Sequence, residues 1–144
     1  MVISIWSGSP DDPVAAARVV EAFEIAQGLD ASQSIAVFIL ISASARPELP
    51  NSVVRSSIAR AYRPWRHRIA AQAIVYEGED WLAGLLRTLV IQLDRLVKPP
   101  FANRTFGTRG EAAAWLSRTI APTLRLGTAE ILDAIRIAET GSIP

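Results

Sequence analysis

The side chains with chemistry to offer fall into four groups. Glu77, Glu79 and Asp80 follow directly on the apolar run Ile69–Tyr76, the place beyond a strand's carboxyl end where open α/β sheets bind ligands. Carboxylates there can hold a hard cation or act as an acid–base pair, and acids opening the next helix also complement its dipole. Ser7 and Ser9, which end the first apolar run, would border the same cleft as Glu77 and Glu79. Ser42, Ser44 and Ser52 surround the end of the second apolar run and the start of a helix, with Arg46 and Arg55 close by. A phosphate at any of the three would meet cations and helix N–H groups, although serine is also the ordinary residue of loops and caps.

The fourth group is the run of Arg55, Arg60, Arg63, Arg66 and Arg68, interleaved with Tyr62, Trp65 and His67. It offers a basic surface to an acidic protein or, if the aromatic rings are exposed for stacking, to a nucleic acid. A chain of net charge +1 is unlike a typical nucleic-acid binder, so a solvated or intersubunit face is favoured. Trp65, beside Pro64, is expected to anchor the loop into the core. His67 is the only histidine and there is no cysteine, so no Cys/His ligand set exists for a metal. The sequence also lacks G-x-G-x-x-G, G-K-[ST], G-x-S-x-G and H-E-x-x-H patterns. No catalytic residue, metal or cofactor is assigned, and a non-enzymatic role is expected.

The charge is segregated. Residues 1–48 carry six acids against two bases, a net −4, and residues 49–76 carry the five arginines and no acid, a net +5. The remainder balances. At 144 residues, half of them hydrophobic, the chain can build one real core. No apolar run reaches the roughly 18 residues of a membrane span. The start has no basic leader ahead of its apolar run, which together with the absence of cysteine suits a cytoplasmic setting.

The elements that must position these residues alternate. Val2–Trp6 reads as a strand, and Asp12-Pro13 opens a helix that ends near Gly28. Residues 34–42 read as a strand whose run 35–41 is continuously apolar, the mark of burial on both faces. Asn51 or Ser52 caps a helix to about Tyr62, disturbed by Pro64, and Ile69–Tyr76 is the next strand. The helix that follows carries Leu82, Leu85, Leu89, Leu93 and Leu96, with Trp81 and Val90 widening its apolar face. After Pro99-Pro100 come a polar-interrupted edge strand to Phe106 and a helix opened by the capping box of Thr108 and Glu111. Thr128 caps a last amphipathic helix bearing Ile131 and Ile135. This alternation predicts an α/β domain over 1–122 with a small parallel sheet, and a helical extension over 123–144.

With those elements in place, the Trp6-Ser7-Gly8 start, the run Ala73-Ile74-Val75-Tyr76-Glu77-Gly78 followed by Trp81, and Glu111-Ala112-Ala113-Ala114-Trp115-Leu116 resemble the SpoIIAA-like branch of the STAS (sulphate transporter and anti-sigma factor antagonist) family. The resemblance covers about residues 1–120 and implies the strand order 2-1-3-4. It also implies a non-catalytic module that binds proteins, some members binding nucleotides or lipids. The family's phosphorylated D-x-S-G serine motif is absent: its place reads Ile41-Ser42-Ala43-Ser44.

Two functions are therefore expected in order of preference. The first is a STAS-like protein-interaction, regulatory or assembly module, with a protein partner or a second copy of itself; Trp81, Val90, Ile131 and Ile135 are its candidate oligomer contacts. The second is a small-molecule domain, for a nucleotide or lipid, or an enzyme, using the cleft of Ser7, Ser9, Glu77 and Glu79.

Overall fold

The computed structural model describes residues 1–6, 33–42, 51–78 and 100–141, with positions 17, 21, 24, 25 and 28; of Trp6, Val54, Arg55, Ile58 and Ala61 only the backbone is described. The elements in chain order are β1 (Val2–Trp6), β2 (Ile35–Ile41), α1 (Ser52–Tyr62), β3 (Ile69–Tyr76), β4 (Ala102–Phe106), α2 (Arg109–Ile120) and α3 (Thr128–Thr140). The four strands form one all-parallel sheet, and the class is α/β.

The strand order is β1-β2-β3-β4, which corrects the expected 2-1-3-4. Burial explains it. β2 and β3 are the longest strands, seven and eight residues, and nearly every side chain on them is buried, so they take the centre. Among the described side chains of β1 only Val2 is buried, and Ser4 sits in its middle, which suits an edge. β4 alternates exposed and half-buried residues up to Phe106 and forms the other edge.

The register sorts the side chains into two faces. Ile3, Phe38, Ala73 and Arg104 lie in one row across the sheet, and Ile5, Leu40, Val75 and Phe106 in the next. This face packs on Ala112, Ala113, Leu116 and Ile120 of α2 and on Ile131 and Ile135 of α3 in one cluster. Alanines at 36, 71 and 73 on the sheet meet alanines at 112 and 113, which lets α2 approach closely while Phe38 and Leu40 fill the remaining depth. The opposite face presents Val2, Val37, Ile35 and Ile69, covered by Trp65 with Tyr62 and Phe101. Ile69 reaches that face because the β2–β3 register slips between Ile35 and Ala36.

The last two helices are tied to the sheet by local chemistry that the sequence anticipates in part. Thr108 caps α2, its Oγ1 accepting from the Glu111 N–H at 3.3 Å while its hydroxyl donates to the Glu111 carboxylate at 3.1 Å. α3 is capped by Gly127 rather than Thr128, the Glu130 carboxylate accepting from the Gly127 N–H at 2.6 Å, so Thr128 is the first helical residue. Gly141 ends α3 at φ +63°, a left-handed conformation that glycine adopts without strain.

α3 does not stand apart as an extension. Ile131 and Ile135 are 0% and 1% exposed in the core shared with α2 and the sheet. Their expected role as oligomer contacts is thereby corrected: the apolar stripe of α3 is consumed within the chain. Trp81 and Val90, with the apolar helix predicted around them, lie outside the described residues.

Candidate functional site

Two charged sites occupy opposite ends of the sheet, separated by the length of β3, about 26 Å at 3.3 Å per residue. At the carboxyl end, β3 delivers Glu77, whose N–H is held by the Ile41 carbonyl at 3.1 Å. The Tyr76 ring folds back over Gly78, and a Cβ at that glycine would collide with the phenol end of the ring. α2 begins at the same edge with Arg109, whose guanidinium grips Glu77 with two bonds, Nε to Oε1 at 2.5 Å and Nη2 to Oε2 at 2.7 Å. Its Nη1 donates to Glu139 Oε2 at 2.5 Å. One arginine thus joins the end of β3, the start of α2 and the last turn of α3.

Arg109 and Glu139 are each misplaced for their own helix, a cation at an N-terminus and an anion at a C-terminus. Pairing removes both penalties. The hydrogen bonds from Arg109 hold the Glu77 carboxyl below the usual carboxylate range, against a smaller opposing effect of burial. Bonds to Glu77 first, then Glu139, raise Arg109 above its ordinary value. Glu77 is thus a fixed carboxylate, unsuited to donate a proton near neutral pH.

Replacing Arg109 with alanine is expected to cost about 1–2 kcal/mol at neutral pH, a charge-assisted bond discounted because the side chains remain about a third exposed. The pH sign follows from the lowered value of Glu77. Its contribution is complete above the ordinary carboxylate pKa and fades as pH falls through the depressed folded value. Urea melts at several pH values should show the two proteins converging in acid; a constant gap down to pH 2 would contradict the assignment.

At the amino end, the chain leaves α1 and turns through residues 63–68 into β3. Trp65 is 7% exposed and belongs to the inner cluster with Val2, Ile35, Val37 and Ile69. The turn is closed by backbone bonds from Trp65 and Arg66 to Tyr62, and from Arg68 and Ile69 to Trp65. Arg68 is docked: its guanidinium lies 4.9 Å from the Trp65 ring centroid and its Nε donates to the Gln33 carbonyl at 3.1 Å. Arg60, Arg63, Arg66 and His67 are exposed, with Arg66 Nε donating to His67 Nε2 at 3.1 Å. Burial pushes the Tyr62 phenol up. Trp65 is therefore the anchor expected of it, and neither ring is presented for stacking.

Of the remaining sequence candidates, Ser52 is exposed as the first residue of α1, whose cap is Asn51, the Val53 N–H donating to Asn51 Oδ1 at 2.9 Å. Ser42 is half-buried just past β2, on the same sheet edge as Glu77. Ser7, Ser9, Ser44, Glu79 and the side chain of Arg55 lie outside the described residues. Among the described residues no three His, Asp or Glu side chains converge to hold a metal ion.

Sequence reasoning missed Arg109, which pairs with Glu77 across 32 residues, and Glu139, which pairs with Arg109 across 30. It also passed over Gln72, a buried glutamine in β3 whose Nε2 donates to Asn103 at 3.3 Å and whose Oε1 has no partner among the described residues. The signal was present for Gln72, the one polar residue in an otherwise apolar strand, but not for the long-range pair. No described helix is long and apolar enough to cross a membrane. No family model, curated protein or solved structure matches the chain.

Proposed function

We propose that this chain is a non-catalytic interaction module that contacts an acidic protein surface through α1 and the turn that follows it. The observation that carries the reading is the anchoring of that turn by Trp65. Arg60, Arg63 and Arg66 are exposed on a backbone already fixed by hydrogen bonds and a buried ring. A partner therefore finds the cations with little left to order, which lowers the entropic cost of binding. Because Tyr62 and Trp65 face inward, the surface offers charge without stacking platforms, and this favours carboxylates over single-stranded nucleic acid.

The STAS resemblance points to the same class of protein, but its sheet order is not that of this chain, so the reading stands on the arginine surface. The competing small-molecule cleft draws no support from Glu77, whose two oxygens are engaged by Arg109.

Fluorescence anisotropy with labelled polyglutamate tests the reading. Binding should be salt-sensitive and weaken about tenfold or more in the variant Arg60→Glu/Arg63→Glu/Arg66→Glu. Equal binding by the variant, or tighter binding of oligothymidine than of polyglutamate at the same salt, would overturn it.

A further inference from the structure

We infer that the acidic partner is a second copy of this chain, its acidic helical stripe meeting the basic stripe of α1 and the turn. The inference rests on the reading above and names the partner. Ala17, Glu21, Glu24 and Ile25 are helical and exposed, with Gly28 exposed in the turn beyond them. Spacings of four, three and one place them on a single helix face. On α1, Val53, Ser56 and Arg60 are exposed at spacings of three and four, and Arg63 continues that line into the turn.

Each stripe has a large apolar residue beside its charges. Ile25 is 73% exposed and Val53 is 70% exposed, the two most exposed large hydrophobic residues among those described. Isolated exposed apolar residues are ordinary; two of them set beside charges of opposite sign are complementary. The segments behind them carry net charges of −4 and +5. Among the described residues, Glu21, Glu24, Arg60, Arg63 and Arg66 make no ion pair. A contact between copies satisfies both signs at once and buries Ile25 against Val53. Because the two surfaces differ, each copy offers both. The pairing closes as a two-fold dimer or propagates, and either raises the mass in solution.

Light scattering of the full chain at ~50 mM and ~500 mM salt tests this. The wild type should exceed the monomer mass at low salt and dissociate at high salt. Glu21→Lys/Glu24→Lys and Arg60→Glu/Arg63→Glu should each weaken assembly about tenfold or more, while an equimolar mixture of the two, with complementary surfaces, should reassemble. Ile25→Ser changes no charge and should weaken assembly about threefold to tenfold. Circular dichroism confirms that each variant is folded.

A wild type that is monomeric at low salt, or a mixture that stays monomeric, would overturn the inference. Polyglutamate separates the two levels of failure. A monomeric wild type that still binds it loses only the self-partner; one that does not bind it loses the basic surface as well.

Discussion

Deleting residues 123–144 is expected to unfold the chain, not to release a stable monomer. The deletion removes Ile131 and Ile135 from the cluster that holds Phe38, Leu40 and Leu116, and it takes away Glu139 from Arg109. Each fully buried isoleucine is worth about 2–5 kcal/mol on truncation to alanine, so the pair approaches the 5–15 kcal/mol by which a domain is typically stable. The deletion would also uncover the sheet face over Phe38, an apolar patch prone to association. A milder change isolates the effect. Ile135→Ala should lower the unfolding free energy by about 2–5 kcal/mol, and Ile135→Asp, which buries an unpaired charge, should prevent folding near neutral pH. Urea unfolding followed by circular dichroism checks both. A truncated chain that melts cooperatively at the wild-type midpoint would mean that α3 is an appendage.

Trp65→Ala is expected to be the second costly change, for a different reason. The ring fills the inner cluster beneath the sheet and carries Arg68 on its face. Its loss should cost about 3–5 kcal/mol, the range for emptying a large aromatic site. Unlike Ile135→Ala, it should also damage the arginine surface, because the ring anchors the turn in the inner cluster and holds Arg68 on its face. In protein that remains folded, polyglutamate affinity should fall several-fold with Trp65→Ala and stay near wild type with Ile135→Ala. Equal affinities would show that the turn holds its shape without the anchor.

The local parts of this molecule were legible because local rules govern them. β3 begins and ends where the apolar run does, Ile69 to Tyr76, and α1 stops at Tyr62 because Pro64 cannot continue it. Thr108 and Glu111 read as a cap from spacing alone. What was misread depends on contacts between distant segments. The order 2-1-3-4 follows from a family resemblance alone, although β1, five residues long with Ser4 at its centre, carries the signature of an edge. The apolar stripe of Ile131 and Ile135 was visible in the sequence. Its partner was not, since a stripe does not say whether its own sheet or another chain will cover it.

The arginine surface was legible as composition, five cations without an acid between residues 49 and 76, and Trp65 as its anchor. The carboxyl-end site was half legible. Glu77 stood out by its position after a strand, but a salt bridge spanning 32 residues leaves no periodic trace, and Arg109 alone reads as an ordinary helix-surface residue. Capping at Gly127 instead of Thr128 is a smaller case: Glu130 is three residues beyond the glycine, the same spacing that revealed the Thr108 box.

The central claim, that the contact surface is α1 and the turn into β3, is tested most directly by mapping it. Amide chemical shifts of the isotope-labelled chain, recorded while polyglutamate is added at low salt, report each end separately. The account predicts movements confined to Val53–Arg68, and their disappearance in Arg60→Glu/Arg63→Glu/Arg66→Glu. Movements centred instead on Ser42, Glu77 and Arg109 would contradict it and place the binding surface at the carboxyl ends of the strands.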